Sequence, residues 1–373
     1  MTIERHKMLD KYPRLLIDRR AIRNNTKKVV SWCDEQGIFV SGVIKGASGI
    51  EEVAKEMEAG GVKIIASSRL EQLERCKAYG IRLPLMMLRV PMLSEVPRLI
   101  ETCEYSLNSE LVVIKKINDE VLKRGHRRHK VVLMADLGDL REGFVDAEEL
   151  ISIAIQIEND LKGIELAGVG TNLGCYGSII PTKDKMKDLR ILSEQVEKAI
   201  GRKLEIVSGG ATSSLMGVFD KYMDGINMLR IGAAIIAGPY DEIRTVYGRE
   251  EIDELECPFK LEAEIIEIKK KPSYPIGKLG VDAFGNKGKY VDRGVRNRAL
   301  LAIGRADYGD ISSLIPEDDK VELIGASGDH TIIDIEDCDS SYKIGDVLRF
   351  KIKYSAILNL SSSENVDIFF INC

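Results

Sequence analysis

The sequence contains few aromatic side chains, few histidines and no long apolar segment. Aromatic residues make up 6% of the 373 residues, with a single tryptophan, and there are four histidines. No apolar run approaches the ~20 residues that a membrane-spanning helix requires. The segment MTIERHKMLDKYPR at the start is polar and charged, and it lacks the apolar core of a signal peptide. We therefore expect a cytoplasmic protein with no membrane partner.

The sequence also lacks a concentration of positive charge. Lys and Arg number 54 against 59 Asp and Glu, which gives a formal net charge of −5. No basic face is large enough to indicate nucleic-acid binding. His126 and His129 lie among basic residues in RGHRRHK, which favours a solvated basic face over a metal site.

The seven cysteines are odd in number and include no CxxC pair. This pattern argues against a disulfide framework and against a structural zinc site, so we expect free thiols and no metal. Cys175 lies in a glycine-flanked turn, NLGCYGS. The ordinary interpretation of such a cysteine is a small buried hydrophobic residue.

The organisation of the chain changes near residue 250. From residue 39 to about 238, eight short β-branched apolar runs alternate with longer amphipathic, charged segments. Such alternation predicts an α/β fold with a parallel sheet, best met by an N-terminal (β/α)8 TIM-type barrel. An open doubly wound sheet stays an alternative, because periodicity does not reveal closure. The later short strands, separated by Gly, Pro, Asp and Asn turns, predict a C-terminal antiparallel β-domain. We place the domains at 12–245 and 250–373.

The stretch SGVIKGASG, residues 41–49, places Lys45 at the end of an apolar strand and before a glycine-rich turn. A lysine there can extend into water. It can also be a desolvated, nucleophilic amine that forms a Schiff base. A barrel carries its functional residues at the carboxyl ends of its strands, and Lys45 ends the first predicted barrel strand. Both interpretations therefore remain open.

Polar side chains also follow later predicted strands. The fifth is followed by DLGDLREG (136–143), and the sixth by Thr171 and Asn172. The seventh is followed by SGGATSS (208–214), and the eighth carries Arg230 before a turn of small residues. Two small-residue turns that open helices favour a bound phosphate, through free N–H groups and hydroxyls. A phosphate and a lysine across a barrel mouth suggest a phosphorylated aldehyde cofactor, pyridoxal 5'-phosphate.

Several segments together are similar to a known family. VIKGASG, MADLGDLREGF, GTNLGCYGSIIP, VSGGATSS, KPSYPIGKLGVDAFGNK and GASGDHTIIDI resemble the alanine racemase-like (fold type III) pyridoxal-phosphate enzymes, and most closely their ornithine racemase branch. The resemblance extends over nearly the whole chain. It implies a pyridoxal 5'-phosphate cofactor, a small-molecule amino acid substrate and a homodimer with shared active sites.

The resemblance also implies roles for individual residues. Lys45 matches the lysine that forms the internal aldimine and acts as one of two bases that move the α-proton. Arg230 matches the arginine that faces the pyridine nitrogen, and Arg141 the arginine that anchors the substrate carboxylate side. Asp329 matches an aspartate that the partner subunit contributes near the substrate. The other implied cofactor contacts are Asn172 behind the ring and a phosphate site of Thr212, Ser213, Gly232, Ala233 and Tyr354.

The chain departs from the family pattern at several positions. The segment GRADYG replaces GYADG, so Arg305 stands where alanine racemases carry a catalytic tyrosine. Met134 replaces a modified lysine, and Gly49 replaces a tyrosine. A smaller and differently charged pocket would admit a longer substrate. The second base stays open among four residues, namely Asp282, Tyr308, Asp329 and His330.

We expect an isomerase that interconverts L- and D-ornithine by removal and return of the α-proton. Glycines around Lys45 would leave room for the cofactor ring and its phosphate. Asp136, Asp139 and Glu142 could hold the distal ammonium of the substrate, or could cap the turn or lie in water. The alternatives are a racemase of alanine or another basic amino acid, and a non-catalytic pyridoxal-phosphate carrier. A metal-dependent lyase of the same fold is less favoured, because only His330 and Cys338 form a nearby ligand pair.

Overall fold

The computed structural model describes residues 11–125, 127–240, 242–281, 285 and 287–372. The chain divides into two compact units, Arg19–Glu256 and a second unit of Met1–Asp18 with Cys257–Cys373. Within the described part of the chain, no helix is long and apolar enough to cross a membrane.

The secondary structure alternates in the first unit and is mostly β in the second. The strands are β1 (Arg14–Asp18), β2 (Phe39–Val43), β3 (Ile64–Ser67), β4 (Leu85–Met87), β5 (Tyr105–Asn108), β6 (His129–Ala135), β7 (Ile164–Thr171), β8 (Ile206–Ser208), β9 (Met228–Ile231), β10 (Phe259–Pro272), β11 (Val295–Leu301), β12 (Leu314–Pro316), β13 (Glu322–Ala326), β14 (Thr331–Asp334), β15 (Val347–Ile352) and β16 (Asp367–Ile371). The helices are α1 (Arg19–Asp34), α2 (Glu51–Gly60), α3 (Leu70–Tyr79), α4 (Val96–Thr102), α5 (Leu111–Arg124), α6 (Ala147–Asp160), α7 (Lys183–Ile200), α8 (Leu215–Phe219), α9 (Ala233–Ala237), α10 (Glu242–Thr245), α11 (Arg305–Tyr308) and α12 (Tyr354–Leu360).

Strands β2 to β9 form a closed parallel barrel. Each strand is followed by an α-helix, from α2 after β2 to α9 after β9, and α10 follows α9. Strand β2 closes the barrel against β9, and Ser41 lies opposite Arg230 in that register. Closure excludes the open doubly wound sheet, so the predicted (β/α)8 barrel is confirmed.

The barrel interior is filled by apolar side chains from every strand. They are Val43, Ile64, Ala66, Met86, Tyr105, Leu107, Val132, Met134, Ala167, Ile206 and Met228. Side chains two residues apart on a strand point to the same face. Ser208 therefore shares the inward face of β8 with Ile206, and Arg230 shares that of β9 with Met228. This alternation places a polar layer above the apolar one, at the carboxyl ends of the strands.

The second unit is an antiparallel sheet, which confirms the predicted β-domain. Its strands run in the order β12-β15-β10-β11-β14-β13, and β1 pairs antiparallel with β10 and parallel with β16. The unit also contains α11 and α12, which the sequence pattern did not indicate.

The domain limits differ from those expected from the sequence. Residues 14–18 were assigned to the barrel domain, yet they pair with β10 and β16 of the sheet. Residues 250–256 were assigned to the β-domain, yet they belong to the barrel unit. Local sequence pattern predicts a strand or a turn, but the partner of that strand lies hundreds of residues away.

Candidate active site

Lys45 lies where the chain leaves the barrel after β2. Residues Lys45–Ala47 form a single 3₁₀ turn, which ends in the left-handed region at Ser48 and Gly49. The Lys45 side chain is partly buried and forms no hydrogen bond or ion pair within the described residues. Burial, followed by the positive charges of Arg141 and Arg230, lowers the pKa of its amine below the usual value. At neutral pH a larger fraction of this amine is therefore unprotonated than for a lysine in water.

The glycines around Lys45 make room for helices. A Cβ at Gly42 would lie 3.1 Å from the Met57 sulfur, which belongs to α2. A Cβ at Gly49 would lie 2.4 Å from the Gln72 Cβ of α3, and Gly49 also has φ +72°. The expectation that these two glycines leave space for a cofactor is therefore wrong, because protein atoms already occupy that space.

Arg230 is the buried cation of the barrel mouth. Only 4% of the residue is exposed. Its guanidinium donates to the Ser208 hydroxyl and, at 2.8 Å, to the Thr171 carbonyl oxygen. Both partners are neutral. Burial lowers the pKa of the guanidinium to about 10, so it stays protonated at neutral pH.

The loop after β6, residues 136–143, is fixed at its base and inside. The Asp136 N–H donates to the Phe144 carbonyl oxygen at 2.9 Å, and the Phe144 N–H donates to the Met134 carbonyl oxygen at 2.8 Å. The Asp136 carboxylate accepts from the N–H groups of Gly138 and Leu140, at 2.8 and 3.1 Å. We call this segment the β6 loop. These bonds fix the conformation of the loop from within the chain.

Asp139 ties the β6 loop to the loop after β7. Its carboxylate accepts from the backbone N–H of Cys175 at 3.3 Å and of Tyr176 at 3.1 Å. Only 2% of Asp139 is exposed. A Cβ at Gly177 would lie 2.6 Å from the Asp139 carbonyl oxygen, so the two loops are in direct backbone contact.

Arg141 and Glu142 form an ion pair at the end of the β6 loop. The guanidinium donates to both Glu142 oxygens and, at 2.8 Å, to the Cys175 sulfur. The Glu142 side chain is 16% exposed and that of Arg141 36% exposed. Cys175 is exposed, so its expected role as a small buried residue is wrong.

Thr171 and Asn172 end β7 beside Arg230. The Thr171 hydroxyl donates to the Ala135 carbonyl oxygen at 2.9 Å. The Asn172 Nδ2 atom is buried and has no hydrogen-bond partner among the described residues. Ser41 Oγ, on the strand that pairs with β9, is likewise buried without a partner there. Buried polar groups without partners are rare in native proteins, so the mouth has polar atoms that a ligand could satisfy.

Two turns of small residues complete the mouth. Thr212–Ser214 form a 3₁₀ turn, and α9 begins at Ala233 after Gly232. The Ala234 N–H bonds the Thr212 hydroxyl at 3.5 Å, which joins the two turns. Four N–H groups of these turns have no backbone acceptor within the described residues, and they belong to Thr212, Ser213, Gly232 and Ala233.

The absence of a side chain at Gly232 allows the second turn to lie close to β2. A Cβ at Gly232 would lie 2.7 Å from the Val43 carbonyl oxygen. Such a distance leaves no room for a side chain between β2 and β9.

The remaining predicted site residues belong to the β unit. Asp329 and His330 are exposed in the turn between β13 and β14. Tyr354 begins α12 and is partly buried. Tyr308 is completely buried, and its hydroxyl lies 2.7 Å from the Thr331 hydroxyl. Burial raises the pKa of Tyr308, so it is a poor candidate for a base. Asp282 lies outside the described residues.

The basic segment RGHRRHK differs from its prediction at His129. This residue starts β6 and is 3% exposed, so it does not belong to a solvated face. Its Nε2 lies 2.8 Å from the Ser106 hydroxyl. His126 lies outside the described residues. Among the described residues, no cluster of three or more His, Cys, Asp or Glu side chains has metal-binding geometry.

A sequence profile described as "Alanine racemase, N-terminal domain" matches residues 17–238. The chain belongs to the alanine racemase family. Ornithine racemase from Acetoanaerobium sticklandii is 40% identical over 361 residues, which are 95% of this chain and 99% of that protein. Lysine racemase from Thermotoga maritima is 41% identical over 358 residues, or 95% of this chain and 98% of that protein. The resemblance to the ornithine racemase branch is therefore confirmed.

The likeness to this family also holds for the fold. The alanine racemase from Bartonella henselae, described with covalently bound pyridoxal phosphate, has a TM-score of 0.72 at 17% identity. The match covers 97% of this chain and 100% of that one. Barrel and β unit are thus both present in the alanine racemase fold.

Two polar residues of this alanine racemase family member were not singled out from its sequence. The predicted phosphate turn SGGATSS includes Ser208, but its side chain points inward and its hydroxyl accepts from the Arg230 guanidinium. Ser41 lies opposite Arg230 on β2. The period of two along each strand is the signal that would have found both, because each shares a face with a residue of the apolar interior.

Proposed function

We propose that the protein is a pyridoxal 5'-phosphate-dependent racemase that interconverts L- and D-ornithine. The observation that carries the proposal is the partly buried amine of Lys45, lowered in pKa, beside the buried Arg230 at the open end of the barrel. Relatives of the same length are named for ornithine and for lysine, which supports a substrate with a side-chain ammonium.

The residues at the barrel mouth fit the proposed cofactor. Its phosphate needs N–H donors, and the two turns at Thr212 and Gly232 present four without backbone acceptors. Its ring needs a polar contact, and the buried Asn172 Nδ2 atom has none among the described residues. Its aldehyde needs an amine, which Lys45 supplies. When bound, the cofactor withdraws electrons from the substrate amine and so acidifies the α C–H bond.

The remaining steps use this chain's own groups. The Lys45 amine takes or returns the α-proton on one face, and its lowered pKa keeps a usable fraction neutral. Arg230 stays protonated and cannot readily give a proton to the ring nitrogen it would face, which favours simple return of the α-proton. Arg141 binds the substrate carboxylate, because guanidinium and carboxylate pair in a bidentate manner.

The β unit enters the proposal through the family resemblance. Tyr354 would bind the phosphate, and Asp329 would act near the substrate of a partner subunit, which makes the protein a homodimer with shared active sites. The base on the second face is Asp329, His330 or Asp282. Exposure of Asp329 and His330 supports them over the buried Tyr308. A cytoplasmic location is proposed from the free thiols at the six described cysteines.

The test is exchange of the α-proton. The protein is incubated with pyridoxal 5'-phosphate and a panel of L-amino acids in heavy water, and loss of the α-proton is followed by NMR with chiral chromatography of the product. We expect exchange and D-ornithine from L-ornithine. Exchange of lysine or alanine in its place would keep the chemistry and change the substrate.

A matched pair of variants assigns the proton transfer. Lys45→Ala is expected to abolish exchange, while Lys63→Ala, at an exposed position before β3, is expected to retain it. Cofactor binding without exchange of any amino acid would refute the racemase and support the carrier alternative.

A further inference from the structure

Three carboxylates belong to the β6 loop, and two of them are committed to backbone N–H groups. Asp136 accepts from Gly138 and Leu140 within the loop. Asp139 accepts from Cys175 and Tyr176 in the next loop. A ligand that took either carboxylate would break bonds that hold a loop in place. These two residues are therefore structural, and they do not hold an ammonium group.

Glu142 is the third carboxylate, and its partner is a side chain. Both of its oxygens accept from the Arg141 guanidinium. The side chain is 16% exposed, so water solvates it only in part. An exchange of one cation for another at Glu142 would leave the backbone of the β6 loop unchanged.

Glu142 is also the common counter-charge of the mouth. Its negative charge acts on Lys45, on Arg141 and on Arg230. The Arg141 guanidinium also donates to the Cys175 sulfur in the loop after β7, and Thr171, the last residue of β7, accepts from Arg230. These bonds place the pair at the same end of the barrel as Arg230.

We infer that the Arg141–Glu142 pair is the part of the site that selects a diamino acid, and that the substrate opens the pair. The α-carboxylate of the substrate takes the guanidinium of Arg141, and its side-chain ammonium takes the carboxylate of Glu142. The inference rests on the proposed function and assigns its substrate class, an amino acid with a distal ammonium. It also reduces the three acidic candidates of the loop to one.

The pair would give specificity because a substrate without a side-chain ammonium pays the free-energy cost of an unpaired Glu142. An amino acid with an apolar side chain would take Arg141 through its carboxylate and leave Glu142 without its hydrogen-bonded cation. A partly buried charge without a partner is costly, and this cost discriminates between substrates. Norvaline is the matched probe, because it is ornithine without the terminal amine.

The experiment compares Glu142→Gln with the parent on ornithine and on norvaline. In the parent we expect kcat/KM for ornithine to exceed that for norvaline. In Glu142→Gln we expect this ratio to fall by about 10- to 100-fold, mostly through loss of ornithine activity. Folded fraction cancels in a ratio measured on one preparation. Glu149→Gln, an exposed position in the first turn of α6, changes the net charge equally and should keep the parent ratio.

A binding measurement tests the same point without turnover. α-Methylornithine and α-methylnorvaline have no α-proton to exchange, and their Kd values follow from the absorbance of the protein loaded with pyridoxal 5'-phosphate. We expect the ratio of the two Kd values to change by the same factor in Glu142→Gln. Ratios that stay within about twofold of the parent in both measurements would overturn the inference, even where both activities fall. A parent that exchanges no amino acid would refute the proposed function instead.

Discussion

His129 provides a quantitative test of the barrel, through the effect of pH on its stability. The residue is 3% exposed at the start of β6, with Ser106 at 2.8 Å from Nε2. Burial lowers the pKa of the imidazole to about 4, against a smaller opposing effect of a hydrogen bond with the Cys103 backbone. The folded barrel therefore keeps this ring neutral at pH values where the unfolded chain protonates it.

The sign and size follow from this difference. Above pH 6.5 the ring is neutral in both states and contributes nothing to pH dependence. Between pH 6.5 and about 4 only the unfolded state binds the proton, so the free energy of unfolding falls as pH falls. The complete loss is about 3 kcal/mol, since each pH unit corresponds to about 1.4 kcal/mol. Between pH 7 and pH 5 the loss is about 2 kcal/mol by the same relation.

His129→Gln removes the titration while it keeps a polar side chain that can bond Ser106. We expect the variant to lose about 2 kcal/mol less than the parent between pH 7 and pH 5. Urea unfolding is followed through Trp32, the single tryptophan, which belongs to α1 of the barrel unit and packs edge-on against Phe219. Its fluorescence therefore reports on the barrel.

Other groups titrate over the same range. The quantity compared is therefore the loss of unfolding free energy between pH 7 and pH 5, in the variant against the parent. His330→Gln, at an exposed position of the β unit, is the matched imidazole-to-amide control and should show the loss of the parent. The reasoning is refuted when His129→Gln and the parent lose the same free energy between pH 7 and pH 5.

Two further predictions concern the mouth of the barrel. Asp139→Asn removes the carboxylate charge that strengthens the hydrogen bonds from the Cys175 and Tyr176 N–H groups, and it should lower the free energy of unfolding by about 2 kcal/mol, or Tm by about 4–8 °C. The control is Asp188→Asn, at an exposed position on α7. Equal Tm values in the two variants would contradict a stabilising role of Asp139 between the two loops. Gly232→Ala places a Cβ 2.7 Å from the Val43 carbonyl oxygen and should weaken pyridoxal 5'-phosphate binding about tenfold or more, measured by absorbance titration, with a loss of about 1–3 kcal/mol in stability. The control is Gly325→Ala, where a Cβ meets nothing within 4 Å. Unchanged affinity of Gly232→Ala for pyridoxal 5'-phosphate would contradict a role of the Gly232 turn in binding the cofactor.

The barrel could be predicted because its signal is local. Each strand is a short apolar run and each helix an amphipathic segment, so eight repeats of that pattern identify the class. Eight strands favour closure over an open sheet, but periodicity does not reveal it, since closure depends on the pairing of Ser41 with Arg230 across most of the unit. The same limit explains residues 14–18, whose sequence predicts a strand but not its partners in the β unit.

In the site, the sequence predicts the position of the key residues but not the packing around them. Lys45 and Arg230 could be placed at the mouth, because both end or follow predicted strands. The space around Lys45 could not, because the gaps at Gly42 and Gly49 are filled by α2 and α3. Tyr308 resembles a candidate base in sequence, yet its burial follows from packing that no local pattern encodes.

The charges at the mouth connect the cofactor to the substrate. Arg141 and Arg230 bring two positive charges together near the Lys45 amine, and Glu142 acts on all three groups. A phosphorylated cofactor and a substrate carboxylate add the anions that these cations attract. In the proposed complex Arg141 would pair with the substrate carboxylate, and Glu142 would lose the guanidinium that holds it. A substrate with its own ammonium would give Glu142 a new cation, whereas alanine would not. The same Coulombic balance that favours an anionic cofactor therefore also favours a basic amino acid.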